Sequence, residues 1–165
     1  MPEQSQSGGS KMRFRDGLAA LKPYSMEEHR LPVKLDANEK PSGLPPVAAR
    51  ALAERLAVLP VNRYPEIAAA SLRAKLAASL EATPEQIQVG NGSSELIAAI
   101  CHVFGGAGRT VVYPDPSFSM YPVYGRLADS EPVAVKLNPD YSLPVDKFLQ
   151  AAERADLAII CNPNN

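Results

Sequence analysis

Gln88-Val89-Gly90-Asn91-Gly92-Ser93-Ser94-Glu95-Leu96-Ile97 reads as a short strand, a glycine-rich turn and the start of a helix. Ile87 and Val89 suit a buried strand. Gly90 and Gly92 open backbone conformations that other residues avoid. Beyond the turn, Leu96, Ile97, Ile100, Val103 and Phe104 recur at helical spacing and define one apolar face. Glu95 stands where a first-turn carboxylate would cap the helix. Orphan amides and the hydroxyls of Ser93 and Ser94 therefore gather at a helix N-terminus, an arrangement that suits a phosphate group. The same residues also make an ordinary strand-to-helix turn with a glycine cap, so the flanking chain has to separate the two readings.

Downstream, the helix over 93–104 is closed by Gly105, Gly106 and Gly108. Residues 110–113 form a β-branched, aromatic strand, Pro114-Asp115-Pro116 a turn, and Ser117 or Ser119 caps a helix reaching 128. A strand over 133–137, a turn at Asp140-Tyr141, a helix over 144–155 and a strand over 157–161 follow. Upstream, 46–59 is a helix with Ala48, Leu52, Leu56 and Leu59 as its stripe, stopped by Pro60. A turn at Asn62-Arg63-Tyr64-Pro65 leads to a helix over 66–80, with Pro65 at its first position and Ala69, Leu72, Leu76 and Leu80 inward. Thr83-Pro84-Glu85-Gln86 carries a capping box. Residues 1–11 read as a disordered tail and 12–45, rich in proline, as an arm that lies on something else. Strands alternating with helices predict an α/β fold: a largely parallel sheet with helices on its faces, ligands meeting it at the carboxyl ends of strands. Three turns serve that edge, at 90–94, 114–118 and 162–165.

With 17 basic and 18 acidic residues in 165, the chain has a net charge of −1, and its cations are scattered. No basic surface for nucleic acid is expected, and no apolar run reaches the roughly 18 residues that span a bilayer. The first residues lack an apolar signal region, so a cytoplasmic location is expected. Cys101 and Cys161 make no disulfide framework, and Cys101-His102 has no second pair at metal-ligand spacing. His102 reads as a solvent or interface residue, Cys161 as a buried small hydrophobe, and Lys40 as a solvated charge. No phosphate-binding loop with Gly-Lys-Ser/Thr, no dinucleotide fingerprint and no nucleophile elbow is present. The run Leu157-Ala158-Ile159-Ile160-Cys161 reads as a central strand covered on both faces, which predicts that the chain is the front of a longer protein. The alternative is a small complete domain with a polar tail.

Six segments carry a family likeness. They are Met12-Arg13-Phe14-Arg15-Asp16-Gly17-Leu18 with Lys22-Pro23-Tyr24, Lys34-Leu35-Asp36-Ala37-Asn38-Glu39, Asn62-Arg63-Tyr64-Pro65, Val89-Gly90-Asn91-Gly92-Ser93-Ser94-Glu95, Pro116-Ser117-Phe118-Ser119-Met120-Tyr121 and Asn162-Pro163-Asn164-Asn165. In this order they resemble the N-terminal part of the histidinol-phosphate aminotransferases, within the fold-type I pyridoxal-phosphate-dependent aminotransferases. The resemblance implies a three-layer αβα large domain whose first part is 46–165. It implies pyridoxal 5'-phosphate as cofactor, histidinol phosphate and 2-oxoglutarate (or glutamate) as substrates in histidine biosynthesis, and a homodimer. It implies that Ser93 and Ser94 hold the cofactor phosphate, Phe118 stacks on the pyridine ring, Asn165 bonds the ring oxygen, and Tyr64 reaches the phosphate of the partner's cofactor. Tyr24 would meet the substrate phosphate, and Asn38 the substrate carboxylate through its backbone. Lys40 departs from the more usual asparagine before Pro41. No segment matches the family's Schiff-base lysine, so no catalytic residue is assigned and these 165 residues alone are expected to be inactive. A threonine-phosphate decarboxylase or an aromatic aminotransferase of the same fold, or a non-catalytic binding module, are the rival readings.

Overall fold

Three short apolar segments pair into a parallel sheet in the computed structural model, which describes Leu21, Val33, Leu35 and residues 37–165. The expected tail over 1–11 and most of the arm, Tyr24 included, lie outside the described residues. The described residues fall into two compact units, one within 24–89 and one made mainly of 90–165.

In the larger unit, β1 (Thr110–Asp115) lies between β2 (Glu131–Lys136) and β3 (Leu157–Ala158). Val112 stands opposite Val133 and Val111 opposite Leu157. Parallel neighbours require crossover connections. α4 (Tyr121–Leu127) carries the chain from β1 to β2, and α5 (Val145–Ala152) carries it from β2 back past β1 to β3. Crossovers of this kind are right-handed, and these two run in opposite directions across the sheet, so α4 and α5 belong on opposite faces. Both pack on β1 and β2. At Gly125 of α4 a Cβ would sit 3.6 Å from that of Pro132 and 3.7 Å from that of Val111. Val111 and Tyr113 therefore face α4, and Val112 and Pro114 the other layer. Val111 and Val112 are fully buried, as is almost all of Phe148 on α5.

Among the described residues the strand covered on both faces is β1. Only Leu157 and Ala158 join the ladder; Leu157 and Ile159 are half-buried while Ala158 and Ile160 are exposed. The one neighbour of β3 among the described residues is β1, and burial alternates along this stretch of chain. β1 also continues two residues beyond the expected 113, through Pro114 and Asp115. The expected turn at 114–116 moves to 116–120 accordingly.

α3 (Gly92–Phe104) matches the expected helix, but its inward face differs in part. Leu96 and Ile97 of the expected face are half-buried, with Ser94, Ala98 and Gly105, around the fully buried Cys101, whereas Ile100, Val103 and Phe104 are 43, 70 and 52% exposed. The helix meets α4, and a stripe of small side chains permits the closer approach. At Gly105 a Cβ would lie 2.3 Å from the Cys101 carbonyl oxygen and 2.4 Å from Ser130 Oγ, so glycine is needed there for space.

In the smaller unit, α1 (Pro46–Ala57) forms where expected and buries none of its residues. α2 (Ala70–Ser79) is shorter than the expected 66–80 and does not start at Pro65. The Glu66 carboxylate accepts bonds from the Ser71 amide at 3.0 Å and its hydroxyl at 3.3 Å, capping the helix from outside, and Ala69 enters it at φ +47°. Its covered side is Arg73, Leu76 and Ala77, while Leu72 and Leu80 are exposed. Arg73 turns inward because its guanidinium donates from both Nε and Nη2 to the Pro84 carbonyl. Pro84–Gln86 make a 3₁₀ turn, and the Thr83 amide donates to Gln86 Oε1 at 2.9 Å, the expected capping box. The expected strand at 87–89 pairs with nothing in the sheet, although Ile87 is extended at φ −110°, ψ 122°.

Candidate functional site

The C-terminal end of α3 is fastened at the amino edge of the sheet. The Gly106 amide donates to Ser130 Oγ at 2.9 Å, just ahead of β2, and Arg109 Nη1 donates to the Phe104 carbonyl at 2.8 Å. A helix of 13 residues is about 20 Å long, so the first turn with Ser93 and Ser94 lies that far along α3 from this edge. There the chain takes a positive φ at Gly92, whose amide donates to the Gly90 carbonyl at 3.0 Å. The Glu95 carboxylate folds back onto the Asn91 amide, the capping role expected of it. Asn91 offers the helix no side-chain cap. The amides of Ser93 and Ser94 are in the turn that helical geometry leaves without carbonyl partners. Ser93 is exposed and Ser94 half-buried.

At the carboxyl edge, β1 runs out into residues 116–120, which hold Phe118 half-buried. The ring of Phe118 meets that of Tyr121 edge-on, with centroids 5.5 Å apart at 80°, and Tyr121 in turn meets Tyr113 at 6.4 Å. Tyr121 is 6% exposed; burial first, and then its hydrogen bond with Cys161, push its phenol up to about 12. α4 starts from Met120 without any side-chain cap, so neither Ser117 nor Ser119 has the expected capping role. Ser117 Oγ instead donates to Asn164 Oδ1 at 2.7 Å, and Asn164 Nδ2 donates to the Pro116 carbonyl at 3.0 Å. Cys161 is half-buried rather than buried, because it lies at this edge next to Tyr121, and its thiol donates to the Pro163 carbonyl at 3.4 Å.

The loops that leave β1 and β3 are therefore tied together at their carboxyl ends. Strand order reverses here, since the chain leaves β1 on one side and returns to it on the other, and open α/β sheets bind ligands at such a point. Phe118 follows Ser117 directly, and Asn165 follows Asn164 directly. The bonded pair in between was not singled out from the sequence, because nothing local links residues 47 apart. Asn165 is exposed. Tyr64 and Asn38 belong to the other unit: Tyr64 is 99% exposed in the turn after α1, and Asn38 is exposed at φ +53°. Lys40 and His102 are exposed. Among the described residues no group of His, Cys, Asp and Glu could hold a metal ion, and no helix is long and apolar enough to cross a membrane.

The sequence profile of the aminotransferase class I and II family matches residues 32–165. The chain belongs to this family. It is 40% identical over 154 residues to a histidinol-phosphate aminotransferase of Caldanaerobacter subterraneus subsp. tengcongensis, covering 92% of this chain and 44% of that protein. It is also 40% identical over 135 residues to an aromatic amino acid aminotransferase of Corynebacterium efficiens, covering 81% of this chain and 39% of the relative. A solved structure assigned as a histidinol-phosphate aminotransferase from Erwinia carotovora atroseptica superposes with a TM-score of 0.65 at 27% identity, over 78% of this chain and 38% of that one. The chain thus spans less than half the length of these class I and II aminotransferases. Its parallel sheet between helical layers is the αβα architecture of these relatives, in part, as the resemblance implied.

Proposed function

We propose that this chain is the cofactor-anchoring first part of a pyridoxal-5'-phosphate-dependent aminotransferase that moves an amino group between histidinol phosphate and 2-oxoglutarate in histidine biosynthesis. The observation that carries the reading is the tie between the loops of Phe118 and Asn165 at the switch point of the sheet. The choice of substrate rests on the likeness to the Caldanaerobacter protein.

The residues fit the cofactor's chemistry. The amides and hydroxyls of Ser93 and Ser94 suit a phosphate dianion, and Glu95, the nearest carboxylate in sequence, is turned onto Asn91. The ring of Phe118, braced edge-on by Tyr121, offers an apolar face to a pyridine. Asn165 can donate a carboxamide N–H to the ring oxygen. When bound, pyridoxal 5'-phosphate supplies the electron sink and the carrier of the amino group. The chain's own work is to hold the phosphate, orient the ring and limit its tilt. Tyr64, wholly exposed, is available to a partner's cofactor in a homodimer. Asn38 would meet the substrate carboxylate through its backbone and Tyr24 the substrate phosphate, in a cytoplasmic enzyme.

The test is the intact reading frame, purified and assayed with histidinol phosphate and with tyrosine or phenylalanine as amino donors to 2-oxoglutarate. The expected result is a yellow protein with much the highest kcat/KM for histidinol phosphate, and a cofactor Kd raised about tenfold by Ser94→Ala. A preference for the aromatic donors would favour the second reading, an aromatic aminotransferase, to which the Corynebacterium relative points. A colourless protein that binds no pyridoxal 5'-phosphate would overturn both.

A further inference from the structure

We propose that Asn164 is a positioning residue that sets the spacing between the two loops holding the cofactor ring, acting as a two-pronged latch on Pro116 and Ser117. This rests on the functional reading above, in which Phe118 and Asn165 contact the ring. One carboxamide makes both bonds: its Nδ2 donates to the Pro116 carbonyl at 3.0 Å, and its Oδ1 accepts from Ser117 Oγ at 2.7 Å. The two prongs use both ends of the amide, so its orientation is fixed, and an aspartate or leucine cannot reproduce the pair. The latch spans 47 and 48 residues of chain, between the only two loops that leave β1 and β3 at this edge.

Ser117 and Asn164 are each the immediate neighbour of a ring-contacting residue. A shift of either loop therefore moves the stacking face of Phe118 or the amide of Asn165 directly. A second tie runs beside the first. Tyr121 holds Phe118 edge-on through its ring and meets Cys161 through its phenol, so one buried side chain also touches both loops. The latch is at the surface, where a hydrogen bond contributes little to stability but can still select one loop geometry.

The experiment uses the intact enzyme and the variants Asn164→Ala, Ser117→Ala, Ser117→Thr and the Ser117→Ala/Asn164→Ala double. Cofactor Kd and the pH midpoint of the cofactor's visible band are measured for each. The midpoint is a readout of Asn165, because a bond donated to the ring oxygen favours its charged form. Asn164→Ala should weaken cofactor binding roughly three- to tenfold and raise the midpoint, the worth of one or two hydrogen bonds. Ser117→Ala should do the same more weakly, Ser117→Thr should restore the wild-type values, and the double variant should resemble Asn164→Ala, since both changes break one unit. Unchanged Kd and midpoint in a wild-type-like yellow Asn164→Ala enzyme would overturn the latch and leave the functional reading standing. Additive losses, or Ser117→Thr as weak as Ser117→Ala, would also overturn it. If Asn164→Ala fails to fold, the Ser117 pair decides alone. A wild-type protein without cofactor binding would overturn latch and function together.

Discussion

The two units of the chain differ in how they use the same kind of sequence. Both are rich in helix: α1 and α2 in one, α3, α4 and α5 in the other. In residues 90–165 α4 and α5 cover a sheet and α3 packs on α4, and Cys101, Val111, Val112 and Phe148 are removed from water almost completely. In residues 24–89 Ala77 is the one buried residue among those described, and Leu52, Leu56 and Leu59 remain about half exposed on and just after α1. Periodicity is enough to set a helix; a core needs paired strands for the helix to lie on.

The largest effect that would break this comparison concerns burial. Phe148→Ala should destabilise the chain by about 3–5 kcal/mol in urea unfolding, while Leu56→Ala, 55% exposed, should cost under about 1 kcal/mol. Equal losses would mean that the two units are equally packed. Next comes the alkaline limb. Tyr121 is raised above the ordinary tyrosine value to about 12. Below pH about 10 its phenol keeps its proton folded and unfolded, so its full contribution is present. As pH rises from about 10 to 12 the unfolded chain loses the proton first, and stability should fall by up to about 2–3 kcal/mol. Tyr121→Phe should remove that part of the decline, seen by following unfolding against pH. The smallest effect is steric. Gly105→Ala drives a Cβ into the Cys101 carbonyl and should cost about 1–3 kcal/mol, whereas Gly43→Ala meets nothing within 4 Å and should leave the melting temperature unmoved.

Much of the site was legible because its chemistry is local. The glycine turn, the helix after it and the paired use of Glu95 follow from residues within one turn of each other. The family likeness needed only short segments in order, and the family match bears it out. Other features resisted for physical reasons. Side-chain size suggested that Leu96, Ile97, Ile100, Val103 and Phe104 face inward on α3; the first two are half-buried, but close helix packing selected Ala98 and Cys101 over the other three. Ser117 looked like a helix cap because serine commonly serves as one, but a partner 47 residues away competes for its hydroxyl. Glu66, the first residue of the run that periodicity had marked, instead caps α2 from outside its start at Ala70.

By itself the sequence determined the alternation of strands and helices, the glycine turn at 90–94 and the family, all of which depend on residue types at short spacing. Only the tertiary structure decided that β1 lies between β2 and β3, which side of α3 is buried, and that Asn164 joins two loops. Those outcomes depend on which distant surfaces meet, and a single chain's local pattern holds no record of its packing partner.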